Sequence, residues 1–377
     1  MDFGFSEEQE LLRSQARDFL DKESDSKAVR RLMAEPAGFD DGLYKRMADL
    51  GWTAIPFPEP AGGLGLGLVD LVVVLEEMGR HVTPGPLQSS VGLAGMSVVR
   101  GGTDEQRARW LPGIADGSKR ATMAIAEEKG SWHIAGVSAA AQRSGDAWLL
   151  KGEKWYVPDA HIADWIVVAA RTSPSESDGL TLVVVDPRSP GVELRRLATM
   201  DPTQRLFQVR LDSVEVPIDD VVGEPDRGGA ALRRGLWATI VCVSSELCGV
   251  AQRALEMSVD YAKTRHQFGR PIGTYQGVSH KCADMLVLTE SAKSLTYHAA
   301  WAVDEDAPEA PLAAAMAKAY ASDAARQVTA LGIQVHGGIG FTWEHDMHLY
   351  FKRAKWGEVV YGDARYWRSR VADLLEL

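Results

Sequence analysis

A single carboxylate interrupts the apolar stretch VSSELCGVAQRAL, residues 243–255, at Glu246. Its neighbours three and four residues away are Cys242, Val243, Gly249 and Val250, none of which can pair with it. A carboxylate in such surroundings must find a partner elsewhere in the chain or carry a raised pKa. A raised pKa suits a general base. The structural alternative is a Glu bonded across a helix bundle to His280, Lys281 or a backbone group.

Two further constellations suit anion and ring binding. TRHQFGR carries Arg265, Gln267 and Phe268 at the end of a predicted helix. An Arg there, with an amide and an aromatic ring beside it, suits a diphosphate and an adjoining planar group. The alternative for Arg265 is a plain pair with a surface acid. QVHGGIGF supplies Gln334, Gly337 and Gly338. Adjacent glycines after a helix let bare N–H groups approach an anion or a ribose, or simply end the helix. Gln276 in YQGVSHK is a lesser candidate of the same kind.

Other motifs carry less. GGLGLG, residues 62–67, follows the proline-rich TAIPFPEPA and misses the spacing of a dinucleotide loop, so a structural turn is expected. His345 and His348 have no ligand cluster around them, and no metal is expected. Cys242, Cys248 and Cys282 form no CxxC pair and read as core thiols rather than disulfides or zinc ligands.

The elements that position these residues fall into three segments. Residues 1–120 show helical spacing, beginning with Ser6 and Gln9 as a capping box in SEEQELLRSQARDFL. Residues 121–225 change to short apolar runs such as ADWIVVAAR and GLTLVVVD between turn clusters, the pattern of a compact β-barrel or sandwich. Residues 226–377 return to long amphipathic stretches, roughly 231–264, 275–303, 310–336 and 345–375, which predict an up-down four-helix bundle. The predicted class is mainly α with a central β domain. A net charge of −11 argues against nucleic acid and anionic membranes as partners. No apolar run approaches the ~20 residues of a membrane span. The acidic N-terminus does not read as a signal peptide, so a cytoplasmic setting is expected.

With these motifs in place, the whole chain resembles the acyl-CoA dehydrogenases. The resemblance rests on PEPAGGLGLGLVDLVVVLEEMGR, on CGVAQRALEMSVDYAKTRHQFGRPIGTYQGVSHKCADM and on QVHGGIGFTWEHDMHLYFKRAK. It implies a helical N-domain, a middle β domain and a C-terminal four-helix bundle, assembled as a tetramer with FAD between subunits. It implies that Arg265, Gln267, Phe268, Gln276, Gln334, Gly337 and Gly338 serve the FAD of a neighbouring subunit across the dimer interface, that Trp155 shields the flavin, and that an acyl-CoA loses its α-proton to a glutamate and its β-hydride to the flavin. An electron-transferring flavoprotein is the implied acceptor.

The departures from that pattern are specific. In AIAEEKGSWHIAG, Ala126 replaces a usual hydroxyl, and Trp132 and His133 replace Ser-Asp. Val157 replaces the threonine that faces flavin N5. Gly362 occupies the slot of the usual terminal glutamate, with Asp363 beside it as a shorter candidate base. The family's other base position maps near Thr239, followed by Ile240 where an Arg is common. Glu246 lies two helical turns beyond Thr239, ~20° off the same face, and is the leading candidate for the base. The segments HGGIGFTWEHD and GDAR look like actinobacterial steroid-degrading heterotetrameric members. Three functions are therefore expected in order: an α,β-desaturating subunit acting on a bulky acyl-CoA, a non-catalytic partner of a catalytic paralogue, or an oxidase or monooxygenase on the same fold.

Overall fold

The structure is a computed structural model that describes residues 5–174 and 179–377; residues 1–4 of the acidic N-terminal stretch lie outside the described residues. It contains two compact units. One comprises Leu32–Gly67 and Pro84–Thr239; the other comprises the chain through Arg31, Leu68–Thr83 and Ile240–Leu377.

In the first unit, short helices precede a sheet. They are α3 (Asp41–Asp49), a π-helical segment Gln88–Gly95, α5 (Met96–Gly101), α6 (Asp104–Trp110) and α7 (Pro112–Ala115). The strands are β1 (Ala121–Ala124), β2 (Ala140–Ser144), β3 (Ala147–Pro158), β4 (Trp165–Arg171), β5 (Leu180–Val185), β6 (Val192–Arg196), β7 (Leu206–Pro217) and β8 (Val221–Val222). Their order is β6-β7-β3-β2-β4-β5-β8, with β1 parallel to β4. β4 and β5 are buried on both faces, which is why they read as unbroken apolar runs rather than alternating ones. The long antiparallel pair β3–β7 holds Trp148, Leu150, Val209 and Leu211 in a shared core. Its register shifts between Lys154 and Val157, a bulge at which Tyr156 takes φ +60°. GGLGLG forms a turn: Gly62 and Gly65 have φ +81° and +65°, and a Cβ on Gly63 would overlap the Phe57 carbonyl.

The second unit is helical. It holds α1 (Glu7–Glu23), the start of α2 (Ser26–Ala34), α4 (Leu68–Arg80), the greater part of α8 (Gly228–Thr264), a small hairpin of β9 (His266–Gln267) and β10 (Arg270–Pro271), α9 (Gln276–Asp304), α10 (Ala310–His336), α11 (Met347–Val359) and α12 (Ala364–Leu374). The capping box at α1 is present, with Gln9 N donating to Ser6 Oγ at 3.2 Å and Ser6 N donating to Gln9 Oε1 at 3.1 Å. The stretch 345–375, read as one helix, is two. The break falls at Tyr361 and Gly362, whose φ of +56° and +104° no right-handed helix accommodates.

α4 and α8 cross at unusually close range. A Cβ on Gly79 would come within 2.0 Å of the Glu246 carbonyl, and one on Gly249 within 1.8 Å of the Glu76 carbonyl. Glycine at both positions is what permits the contact. α8 is long and apolar enough to cross a membrane by composition, but its most apolar window is 89% buried inside the protein, as a core helix requires.

Candidate functional site

Glu246 has a partner that the sequence did not disclose. It is 3% exposed, and its Oε2 lies 3.6 Å from Nη1 of Arg353 on α11, itself 1% exposed. Nη2 of Arg353 donates to the carbonyls of Val82 at 3.1 Å and Thr83 at 3.3 Å. The pair thus joins α8, α11 and the turn after α4, where Val82 sits at φ +45°. The two residues named as partners from sequence do not supply this contact. His280 is exposed, and Lys281 donates to Gly277 O at 2.7 Å. Burial, and next the charge of Glu246, push the Cys242 thiol up; Cys248 is pushed up to about 12, chiefly by burial. All three cysteines are free, and the two on α8 are buried as core residues. Thr239, in the other unit, is a buried helix residue whose hydroxyl donates to the Gly92 and Gly235 carbonyls.

Asp363 is engaged as a helix cap. Its Oδ1 accepts from Tyr366 N at 2.8 Å at the start of α12. Beside it, a Cβ on Gly362 would meet Tyr366 Cδ1 at 2.5 Å and Trp367 Nε1 at 2.9 Å. The slot of the usual terminal glutamate is therefore shaped for glycine. The turn is fastened from below by Lys318 of α10, which is fully buried. Its Nζ donates to Gly357 O at 2.9 Å, Gly362 O at 2.9 Å and Ser322 Oγ at 3.0 Å. Burial pushes Lys318 down to about 7 against the opposing charges of Asp363 and Glu358.

The ring- and anion-binding candidates all lie on the surface of the helical unit. Phe268 and Gly269 form the two-residue turn of the β9–β10 hairpin, both at positive φ. This lifts the Phe268 ring into solvent, 93% exposed. Arg265 and Gln276 are exposed; the Gln267 side chain donates to the His266 carbonyl, and its own carbonyl accepts from Tyr275 Oη at 3.1 Å. Gln334 is exposed at the end of α10, and Gly337 and Gly338 follow with open space beside each. Gly337 at φ +65° does end α10, so the helix-terminal reading of this glycine also holds. The His336 and His345 rings meet at 4.4 Å, tilted by 53°, near this turn; among the described residues no three His, Cys, Asp or Glu side chains group as a metal site.

In the sheet unit, the bulge in β3 aims Trp155. Its N–H donates to Ala126 O at 2.9 Å, and its indole Nε1 is buried without a partner among the described residues. Ala126 and Val157, the two positions without hydroxyls, are fully enclosed.

The sequence reading missed four buried cations: Arg353, Lys318, Lys154 and Arg205. Lys154 shares the inward parity of Trp148 and Leu150 along β3, and Lys318 lies among buried Ala314, Ala315, Ser322 and Ala321 on α10. A cation at core spacing was the available signal.

Known proteins match along the whole chain. Models of the acyl-CoA dehydrogenase N-terminal, middle and C-terminal domains match residues 6–118, 122–214 and 226–375. Acyl-CoA dehydrogenase IpdE2 of Mycobacterium tuberculosis is 35% identical over 92% of this chain and 91% of its own. The chain belongs to the acyl-CoA dehydrogenase family. Caffeyl-CoA reductase-Etf complex subunit CarC of Acetobacterium woodii is 30% identical over 98% of this chain and 99% of its own. Among solved structures, butyryl-CoA dehydrogenase from Megasphaera elsdenii superposes with a TM-score of 0.93 at 26% identity, covering both chains fully. The steroid acyl-CoA dehydrogenase variant Tcur3481-Tcur3483 gives 0.89 at 33%, with 98% of each chain covered, and the ChsE4-ChsE5 complex from Mycobacterium tuberculosis gives 0.90 at 29%, with 100% and 99% covered. The family's cofactor is FAD. Residues present in each unit fit it separately: in the sheet unit the buried indole N–H of Trp155 has no partner among the described residues, and in the helical unit a solvent-facing ring at Phe268 and two unencumbered glycines offer stacking and bare N–H groups to a planar, phosphate-bearing group.

Proposed function

We propose that this chain is one subunit of an FAD-dependent acyl-CoA dehydrogenase that introduces an α,β double bond into a CoA thioester, and that a paralogous subunit supplies the proton-accepting carboxylate. One observation carries the reading: each candidate base in this chain has a structural task. Glu246 is paired with buried Arg353, Asp363 caps α12, and Gly362 holds a conformation that disfavours any side chain. The groups facing outward, Arg265, Phe268, Gln334, Gly337 and Gly338, are free to serve a cofactor held with a neighbour. Similarity to two heteromeric assemblies supports the mixed composition, and the steroid label of one supports a ring-bearing acyl group.

FAD, when bound, supplies the acceptor for the β-hydride. Trp155 would cover the flavin from the sheet unit. Arg265, with its guanidinium exposed, would neutralise the diphosphate of a cofactor held by a neighbouring subunit, and Gln267, Gln276 and Gln334 would hydrogen-bond that cofactor's remaining polar edge. The electrons would leave to an electron-transferring flavoprotein, as the Etf complex of the caffeyl-CoA reductase relative suggests. A cytoplasmic setting accords with three free thiols, two of them buried.

The test is FAD per chain and native mass, for the protein alone and co-expressed with its genomic neighbours. The reading expects a mixed assembly with fewer than one FAD per chain. One FAD per chain in an active homomeric assembly would overturn it.

A further inference from the structure

Between β1 and β2 the chain makes a long excursion, AEEKGSWHIAGVSA, that one carboxylate closes. Glu127, at its start, accepts on Oε1 from Ser138 N at 2.8 Å and Ala139 N at 2.8 Å, at its end. The Ser138 hydroxyl donates to Oε2. The same Oε1 takes a third donor from beneath, the carboxylate's fourth in all, Lys154 Nζ at 3.0 Å. Lys154 is entirely buried, and it also donates to Ile125 O at 3.0 Å. The residue after Lys154 is Trp155, where β3 bulges, and Trp155 N binds Ala126 O at 2.9 Å. Loop closure, buried cation and bulge are therefore one bonded unit. Arg171, whose charge also acts on Lys154, bonds Ile134 O at 2.7 Å within the same loop.

Packing alone does not account for a cation here. The surrounding core is Leu150, Val157, Ala124 and Val209, and an apolar side chain of similar volume at 154 would avoid the desolvation of an ammonium. Burial pushes Lys154 down to about 8, against the attraction of Glu127. Burial would raise Glu127, but Lys154 and the Ser138 and Ala139 donors hold it below the ordinary carboxyl range. What a charged pair adds over an apolar one is direction: fixed donors that set the loop's position relative to Trp155.

We propose that Glu127 and Lys154 form a clasp that holds the 128–138 loop and the Trp155–Tyr156 bulge in one fixed relation, so that together they present a preformed wall to the flavin. They are positioning residues; neither is assigned contact with FAD. The proposal rests on the FAD assignment of the family, not on which subunit supplies the base.

The test uses the full chain in its native assembly, with Lys154→Met, Glu127→Gln and the double variant. Three quantities are measured: amide hydrogen exchange over 126–139 in the flavin-free protein, FAD affinity with the visible flavin absorption envelope, and urea stability. The clasp predicts faster exchange confined to 126–139 in all three variants, FAD bound about tenfold more weakly, and an altered absorption envelope. It further predicts that the double variant regains stability, because no charge is left unpaired, yet keeps the loosened loop and the weakened FAD binding. Unchanged exchange overturns the clasp. Faster exchange with unchanged FAD affinity and spectrum overturns its link to the flavin. Recovery of all three quantities in the double variant reduces the pair to a stabilising contact and also overturns the proposal. Wild-type protein that takes up no FAD in any assembly contradicts the cofactor assignment instead, a result visible before any variant is made.

Discussion

The Glu246 carboxylate on α8 faces the Arg353 guanidinium on α11 across 3.6 Å of protein interior, and Arg353 in turn holds the carbonyls of Val82 and Thr83. Removing one member of such a buried pair strands the other's charge. Glu246→Gln is expected to destabilise the protein by about 3 kcal/mol, read by urea unfolding. Glu246→Gln combined with Arg353→Met is expected to recover part of that loss. A base role would give a different result: turnover lost in Glu246→Gln with stability intact.

Gly362 is predicted to resist the substitution that would restore the family's glutamate. At φ +104°, with Tyr366 and Trp367 against its Cα, Gly362→Ala should cost about 1–3 kcal/mol. Gly362→Glu should cost more and confer no new activity on the chain alone. A Gly362→Glu protein as stable as the wild type, with dehydrogenase activity of its own, would refute the structural account of this turn.

Lys318 should give stability an alkaline signature. Its folded pKa of about 7 lies well below the value of about 10.4 in an unfolded chain. Between those values the unfolded chain holds a proton that the folded protein has shed. The Lys318 contribution therefore rises with pH across that window and is lowest below about pH 7. Urea unfolding of wild type against Lys318→Met at about pH 6 and about pH 9 measures this. The wild type should gain relative to the variant at the higher pH. At both, Lys318→Met should be the less stable by about 1–3 kcal/mol, because the Gly357 and Gly362 carbonyls lose their donor.

Arg265→Ala and Phe268→Ala should separate cofactor binding from folding. Both side chains are exposed, so thermal stability of the flavin-free protein should move little. Loss of a charge-assisted bond to phosphate should weaken FAD by about tenfold or more for Arg265→Ala, measured by flavin titration. A large stability loss without any change in FAD affinity would assign these residues to the fold.

Much of this was legible in the sequence, for identifiable reasons. Ser6 and Gln9 announced their helix because both halves of a capping box lie within one turn. The ends of α8, α9 and α10 lay close to their predicted positions because glycine, proline and charge mark them locally. The fourth bundle helix was misread because its break depends on Tyr361 adopting positive φ, a conformation that no residue type announces there. Arg353 could not be matched to Glu246 because more than a hundred residues separate them and nothing local records their meeting. The same rule holds around the candidate site: the end of α10 at Gly337 was legible because glycine marks it locally, and the buried cations that hold distant segments together were not.

The close crossing of α4 and α8 bears on how the chain is made. α4 is buried on all sides, and the helix that Gly79 and Gly249 let it touch begins about 150 residues later. At a synthesis rate of about 5–20 residues per second, α4 leaves the ribosome roughly ten to thirty seconds before its partner. Through that interval α1 can cover one face of LVDLVVVLEEMG, but the face that meets α8 and α9 has no partner yet. Most of the sheet unit, all but its share of α8, emerges in the meantime. A nascent chain released or stalled before α8 would expose α4 to solvent, which makes this helix the expected point of chaperone engagement and of aggregation in truncated products.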